Sequence, residues 1–368
     1  MKTLFRTFEI FYNLFFFGSK FKGLFTVKAF KICIAAYVIG VLVNVVCLLN
    51  CLMNSEGLVK AVKVKRLNQS YVFAISQAIF KPCEVLFNQA IFSNLMEWIS
   101  DMEERQFEEF IEKSAREHIA RIRRYSLKAA KIMSFVYIQG TVGFILDLSL
   151  SHDLIVTMPF LSSIAHKNVQ LLIQGYEIAF VAATIFIFDM FYLIVAIYIM
   201  AMSFIVKDAV KSLKFAEDRG KRLQSIQELH SEYIEKLNLY SEGTSRMLLL
   251  QLATSITALQ MLLYIYRTLS NYLAGVYLLT VIVQIFLICF LCEILEVTTE
   301  DIYDEMCRVD WYEFDIKEQK HFLFCLQMAQ RNYGLRAGGM YNINLMLFVQ
   351  IMKLSYSYCT FMQAVVDQ

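Results

Sequence analysis

Two charged side chains stand inside stretches of this sequence that are otherwise apolar, and they are the first candidates for chemistry. Asp189 interrupts residues 173–206, and Lys81 interrupts residues 71–98, immediately before Pro82. An isolated charge in hydrocarbon is costly, so each is expected to face the protein interior or water, and the two could pair. Local packing is the plain alternative for both. The Lys81-Pro82 step also lacks a backbone donor and should kink or break its helix. Other reactive types give less. Cys289-x-x-Cys292 has the spacing of a metal or redox pair, but no second Cys or His pair stands nearby, and small-hydrophobe packing explains it better. The five histidines (His118, His152, His166, His230, His321) show no ligand spacing, so neither a metal nor a cofactor is expected. No nucleophile–base pair and no glycine-rich phosphate loop points to an enzyme.

The composition says what must hold these residues. Of 368 residues, 58% are apolar and only 18% charged, and the mean hydropathy is +0.50. A soluble domain is about 45–50% apolar and about 25% charged, and no water-soluble core of this size could bury the excess. Disorder needs the opposite balance. Two prolines and 13 glycines exclude collagen-like and linker-rich chains, and a net charge of +2 gives no reason to expect nucleic acid. Seven of the nine cysteines lie in or beside apolar runs, and Cys307 and Cys325 lie in a charged stretch, which is not a secreted disulfide framework. An all-α, polytopic membrane protein in contact with lipid is expected.

A spanning helix needs about 20 mainly apolar residues. Seven stretches qualify or nearly do: 32–49, 71–98, 129–150, 173–206, 247–269, 272–295 and 340–366. An odd count puts the termini on opposite sides. Lys and Arg set the orientation. They crowd the loops after spans two and four (Arg105 to Lys128; Lys207 to Arg246) and recur between spans six and seven, whereas the opposite face has Lys167 and Arg267. Lys60, Lys63, Lys65 and Arg66 in the first loop run against this pattern. The balance predicts a cytoplasmic N-terminus and an extracellular C-terminus, the reverse of a G-protein-coupled receptor. Span three is not followed by Asp-Arg-Tyr, and span seven has no Asn-Pro. Asn68-Gln69-Ser70 in the external first loop is a weak glycosylation acceptor. Leu4 to Phe16 repeats at helical spacing, as a packed helix or one lying on the inner leaflet, and no cleavage site follows it, so no signal peptide is expected. Residues 103–117 and 224–242 lack Pro and Gly and place charges at i, i+4, so the cytosolic connections should be helical continuations of the spans. No internal repeat supports an inverted-repeat transporter.

The C-terminal third is the most specific part. It carries Asp310-Trp311-Tyr312, Leu335-Arg336-Ala337-Gly338 and Ser355-Tyr356-Ser357-Tyr358, and span four carries Phe188-Asp189. In this order the motifs resemble the insect odorant receptor family. The connection between spans four and five is short, which resembles a ligand-tuning subunit and not the family's shared co-receptor. Cys359 departs from the aromatic residue usual there. The related gustatory receptors are the nearest alternative, but their last helix carries Thr-Tyr and a Gln-Phe ending, where this chain has Ser357-Tyr358 and Gln363-Ala364.

The resemblance implies the odorant-binding subunit of a ligand-gated, non-selective cation channel in the plasma membrane of olfactory neuron dendrites. It would form a heterotetramer with the co-receptor and need no G protein. Residues 1–295 would hold the interfacial helix, spans one to six and the ligand pocket. Residues 296–339 would form a cytosolic anchor between subunits, and residues 340–368 would line the pore. The acidic residues from Glu293 to Asp315 would then favour cations at an inner vestibule, or form a solvated face. A small volatile ligand wants a concave, mostly aromatic pocket, which by analogy lies in the outer half among spans two to six. Candidates are Tyr71, Phe73 and Phe80; Tyr137, Gly140 and Phe144 on one helical face; Tyr176, Phe180 and Thr184 on another; and Met261, Tyr264 and Tyr277. Aligned on Tyr358, Phe361 and Val365 fall where the co-receptor places its hydrophobic gate, one turn apart.

Overall fold

The computed structural model describes residues 68–151, 167–213, 219–269, 272–331 and 333–366. The expected N-terminal helix, the first span and the basic part of the first loop lie outside these residues, as do the side chains of Asn68, Tyr71 and Val365. In chain order the elements are α1 (Asn68–Phe87), α2 (Gln89–Glu104), α3 (Glu109–Ser151), α4 (Lys167–Ser212), α5 (Arg219–Leu269) and α6 (Tyr272–Cys307). A 3-10 turn (Trp311–Glu313), α7 (Ile316–Ala329), the strand pair β1 (Arg336–Ala337) and β2 (Tyr341–Asn342), and α8 (Leu345–Val366) follow. Among the described residues, α3, α4, α5, α6 and α8 are long and apolar enough to cross a membrane. The protein is all-α, and α3, α4, α5 and α6 run well past their apolar stretches, which is the expected helical continuation.

α4 is apolar on every side, so it takes the centre of the bundle. Every residue from Met190 to Met202 is buried. By contrast α3 leaves Phe135, Ile138, Val142 and Leu146 exposed at spacings of three and four, a single apolar stripe outward, as a helix facing hydrocarbon requires.

Three local expectations need correction. Pro82 lies inside α1, and the helix ends later, at Asn88. There the Asn88 side chain donates to Glu84 O at 3.1 Å and to Glu84 Oε2 at 2.9 Å, which secures the last turn of α1 while the backbone leaves helical geometry. Residues 103–117 are not one helix either, because residues 105–108 leave helical geometry between α2 and α3, with Arg105 extended. Arg116 holds that corner by donating to Glu103 O at 3.2 Å and Arg105 O at 3.0 Å. Finally, the last helix begins at Leu345, five residues later than its hydropathy suggested, because the β1–β2 hairpin occupies the start.

The hairpin accounts for the Ala-Gly motif. Gly338 and Gly339 both have positive φ, 59° and 72°, which an L side chain rarely adopts. Gly338 N donates to Ser245 O at 2.9 Å, Ser245 Oγ donates to Arg336 O at 3.0 Å, and a Cβ on Gly338 would stand 2.8 Å from Leu249 Cδ2. The hairpin is thus docked flat on α5. It hands over to α8, whose first turn is capped by Asn344 Oδ1, accepting from Leu347 N at 2.9 Å, and by Glu293 Oε2 on α6, accepting from Leu345 N at 3.1 Å. A carboxylate at a helix N-terminus is favoured by the partial positive charge there. In α8 itself Ser355 and Cys359, one turn apart, are both buried, and Tyr356 is exposed. Outside the spans, burial pushes the Cys325 thiol up to about 11.

The two glycines separate two costs. Gly339→Ala meets nothing within 4 Å and should lose about 1 kcal/mol from its backbone angle alone, whereas Gly338→Ala adds the collision with Leu249 and should lose more. Melting temperatures of the detergent-solubilised variants check this. Equal losses would mean that the hairpin is not seated on α5.

Candidate functional site

The bundle's centre is a carboxylate. Asp189 on α4 forms an ion pair with Lys81 of α1, and the two side chains are 8% and 2% exposed. Asp189 Oδ1 also accepts from Gln251 Nε2 of α5 at 3.2 Å. Its other oxygen, Oδ2, accepts from the Tyr137 hydroxyl of α3 and from Gln284 Nε2 of α6 at 3.0 Å. One acidic side chain therefore receives donors from four other helices. Beyond this first ring, Gln284 Nε2 donates to Gln77 Oε1 at 3.2 Å, and Gln77 Nε2 donates to Thr254 Oγ1 at 2.9 Å and to Ser255 Oγ at 3.0 Å. The pairing of Lys81 with Asp189 left open by the sequence is thus made, and it satisfies the cost of burying either charge.

Against this polar layer lies a cavity that offers about 70 Å³ to the centre of a water-sized sphere, several times the roughly 10–15 Å³ that one water needs. Its walls come from the same five helices. α1 supplies Phe73, Ala74 and Gln77; α3 supplies Tyr137, Gly140, Thr141 and Phe144; α4 supplies Ile178, Val181, Ala182 and Ile185. α5 adds Ser255 and Ala258, and α6 adds Tyr277, Thr280, Val281 and Gln284. Phe144 and Tyr277 meet edge to face with ring centroids 5.4 Å apart. Gly140 lets α3 approach α6, because a Cβ there would overlap the Thr280 hydroxyl and stand 3.1 Å from its Cβ. The lining is an apolar and aromatic wall over a small set of convergent polar groups, the make-up of a small-molecule site.

Of the candidate residues, Phe73, Tyr137, Gly140, Phe144 and Tyr277 come together around this one cavity. Phe80 and Tyr176 are 44% and 65% exposed and do not line it. Phe180 stacks on Tyr176 at 6.5 Å, so their shared helical face is a different face from the one that meets the cavity. Thr184 is buried but returns its hydroxyl to Phe180 O at 2.9 Å. Met261 and Tyr264 are half-buried on α5, away from the cavity. The polar residues Gln77, Ser255 and Gln284 were not singled out, although Gln77 with Lys81 and Gln251 with Ser255 stand one turn apart in apolar stretches, the spacing that marks a shared inward face. Phe361 is 64% exposed on α8.

Long apolar helices closed around a polar centre and a cavity define a multi-pass α-helical membrane protein. The profile of the 7tm Odorant receptor family matches residues 64–356, and the chain belongs to that family. It is 32% identical over 92 residues to odorant receptor Or1 of Anopheles gambiae, covering 24% of this chain and 22% of that protein. It is 26% identical over 157 residues to a Drosophila melanogaster protein carried under the name odorant receptor 83c, covering 40% and 37%. The matched stretches thus span well under half the length of these relatives. In fold the chain is similar to the insect olfactory receptor OR5 of Machilis hrabei in complex with eugenol, with a TM-score of 0.81 and 12% identity over 99% of this chain and 98% of that one. Its likeness to another OR5 structure gives 0.76 and 13% over 92% and 90%.

Removing one member of the buried pair should be worse than removing both. Lys81→Met leaves a buried carboxylate without its cation and should cost about 3–5 kcal/mol, seen as lost surface expression and a lower melting temperature. Lys81→Met with Asp189→Leu should recover most of that loss. A single variant that melts like the parent would show that the charge pair does not hold the bundle.

Proposed function

We propose that the chain is the odorant-binding subunit of a ligand-gated, non-selective cation channel, acting with the family's co-receptor in a heterotetramer without a G protein. The observation that carries this reading is the cavity: five helices of one bundle enclose a mostly apolar space sized for a small volatile molecule, floored by polar groups that join all five. The ligand would touch Phe73, Tyr137, Gly140, Phe144 and Tyr277. The Lys/Arg balance supports a cytoplasmic N-terminus and an extracellular C-terminus, and membership of the odorant receptor family supports a place in the plasma membrane of olfactory neuron dendrites.

α8 is the natural pore element. Only 17% of its apolar stretch is buried, the least of the candidate spans among the described residues, so most of its surface is available to neighbours in an assembly. Phe361 and Val365 would contribute apolar side chains to a ring that closes by dewetting. The helical extensions and residues 296–339 would then carry the contacts between subunits.

Two measurements test the proposal. Phe144→Ala and Tyr277→Ala remove contact area worth on the order of 1–3 kcal/mol, so currents evoked from cells that also express the co-receptor should need about ten- to a hundredfold more odorant. Unchanged dose–response curves in both variants, at normal surface expression, would place the site elsewhere. For the pore, cysteine at positions 361 and 365 should give block by an externally applied thiol reagent only during odorant-evoked current, and cysteine at position 362 should not. Equal reactivity at all three positions would remove α8 from the gate.

A further inference from the structure

Counting donors and acceptors outward from Asp189 fixes the polarity of the cavity floor. An ionised carboxylate only accepts hydrogen bonds, so the Gln284 amide must turn its nitrogen to Asp189 Oδ2, at 3.0 Å. The same nitrogen gives its second hydrogen to Gln77 Oε1 at 3.2 Å. Gln77 must therefore direct its own amide nitrogen the other way, to Thr254 Oγ1 at 2.9 Å and Ser255 Oγ at 3.0 Å. The two ends of a glutamine amide look alike in outline, and here the charge two links away decides which is which. At the end of the relay the two hydroxyls differ. Thr254 sends its proton to Leu250 O in its own helix, at 2.8 Å. Ser255 has received a hydrogen from Gln77, and among the described residues nothing accepts its own proton. It is 1% exposed and lines the cavity, where Thr254 does not. Gln284 also lines the cavity, its nitrogen is spent, and among the described residues nothing donates to its Oε1, which is left as an acceptor.

We propose that Ser255 is the cavity's hydrogen-bond donor and that it selects small apolar ligands carrying one oxygen, alcohols ahead of the matching carbonyl compounds and both ahead of hydrocarbons. The inference rests on reading the cavity as the odorant site. An alcohol oxygen accepts from Ser255, and the alcohol's own proton can pass to Gln284 Oε1. A carbonyl oxygen answers only Ser255. A hydrocarbon displaces the water these atoms would otherwise bind and returns no hydrogen bond.

The test uses the full chain, purified into lipid nanodiscs, and three probes with one carbon skeleton: benzyl alcohol, benzaldehyde and toluene. Affinity is read from the rise in melting temperature with probe concentration. Each neutral hydrogen bond is expected to be worth about three- to tenfold, so the order should be benzyl alcohol, benzaldehyde, toluene. Ser255→Ala should weaken the two oxygenated probes by about that factor and leave toluene unchanged. Thr254→Ala is the companion variant: it removes the other acceptor of the Gln77 amide but faces away from the cavity, and should change none of the three. If Ser255 served only to hold Gln77, both variants would act alike, which overturns the inference. Toluene binding as tightly as benzyl alcohol to the unmodified chain overturns it too, and leaves the cavity as the odorant site if Ala258→Leu, which fills the space, still abolishes binding. Should a probe bind and Ala258→Leu leave its affinity unchanged, or should none of the three bind, the odorant-site reading fails and takes the inference with it.

Discussion

A buried carboxylate in an apolar bundle is a demand that the rest of the structure has to meet. Asp189 sits in the most thoroughly buried helix, and its two oxygens need donors that hydrocarbon cannot supply. The donors come from Lys81, Tyr137, Gln251 and Gln284, one from each of α1, α3, α5 and α6. Sliding any of these helices by a residue would swing its donor away, so the carboxylate specifies register where apolar contacts alone would tolerate several. Such a centre adds little to stability compared with a well-packed apolar one. Its contribution here is a single arrangement of five helices.

That arrangement also explains why there is space in the bundle. Polar side chains that must reach a common point hold their helices at a set distance, and the volume on either side is filled only as far as the neighbouring residues allow. On one side lies the cavity walled by Phe73, Phe144 and Tyr277. On the other lies a second space, about 50 Å³ by the same measure, lined by Tyr192, Tyr240, Cys292 and Leu335 among others. Gln284 lines both, so the polar layer is the partition between them. Gly140 works in the opposite sense by letting α3 close on α6 at Thr280, which narrows the first cavity on one flank.

How far the sequence could be read depended on whether a feature is periodic or convergent. Long apolar runs made the helices legible, and the charged stretches beyond them were legible as helical continuations. Asp189 and Lys81 were visible as anomalies, because a charge inside such a run has few explanations. Their pairing was not, since residues 108 positions apart meet only through the packing of α1 on α4. The same limit separates the aromatic candidates. Tyr137, Gly140 and Phe144 share a face that turns inward, whereas Tyr176 and Phe180 share one that turns away, and helical spacing gives both faces equal standing. A break at Pro82 does not occur because a helix can lose one hydrogen bond and continue, and the real end at Asn88 depends on a side-chain cap. The hairpin was hidden because its apolar residues continue the pattern of the last span, although two adjacent glycines marked the turn.

The elements that wall the first cavity and those that hold the last helix meet in α5. Its Ser255 and Gln251 belong to the polar layer, while Ser245 and Leu249, on the turns before, carry the hairpin that leads into α8. Ten residues of helix separate Ser245 from Ser255, roughly 15 Å at 1.5 Å per residue. Farther along, the Arg267 guanidinium lies 5.7 Å from the Tyr356 ring, so α5 touches α8 at a second level. A rigid helix gripped at one level by the cavity floor and at two others by the hairpin and α8 cannot shift in response to one without displacing the others. Among the described residues α6 supports α8 as well, through Glu293 at its first turn and through Phe286, whose ring lies 5.5 Å from that of Phe348. α6 also carries Tyr277, Thr280 and Gln284 in the cavity wall. Among the described residues both helices that hold α8 are therefore cavity helices, and a change in their spacing reaches the last helix through rigid bodies with no loop between.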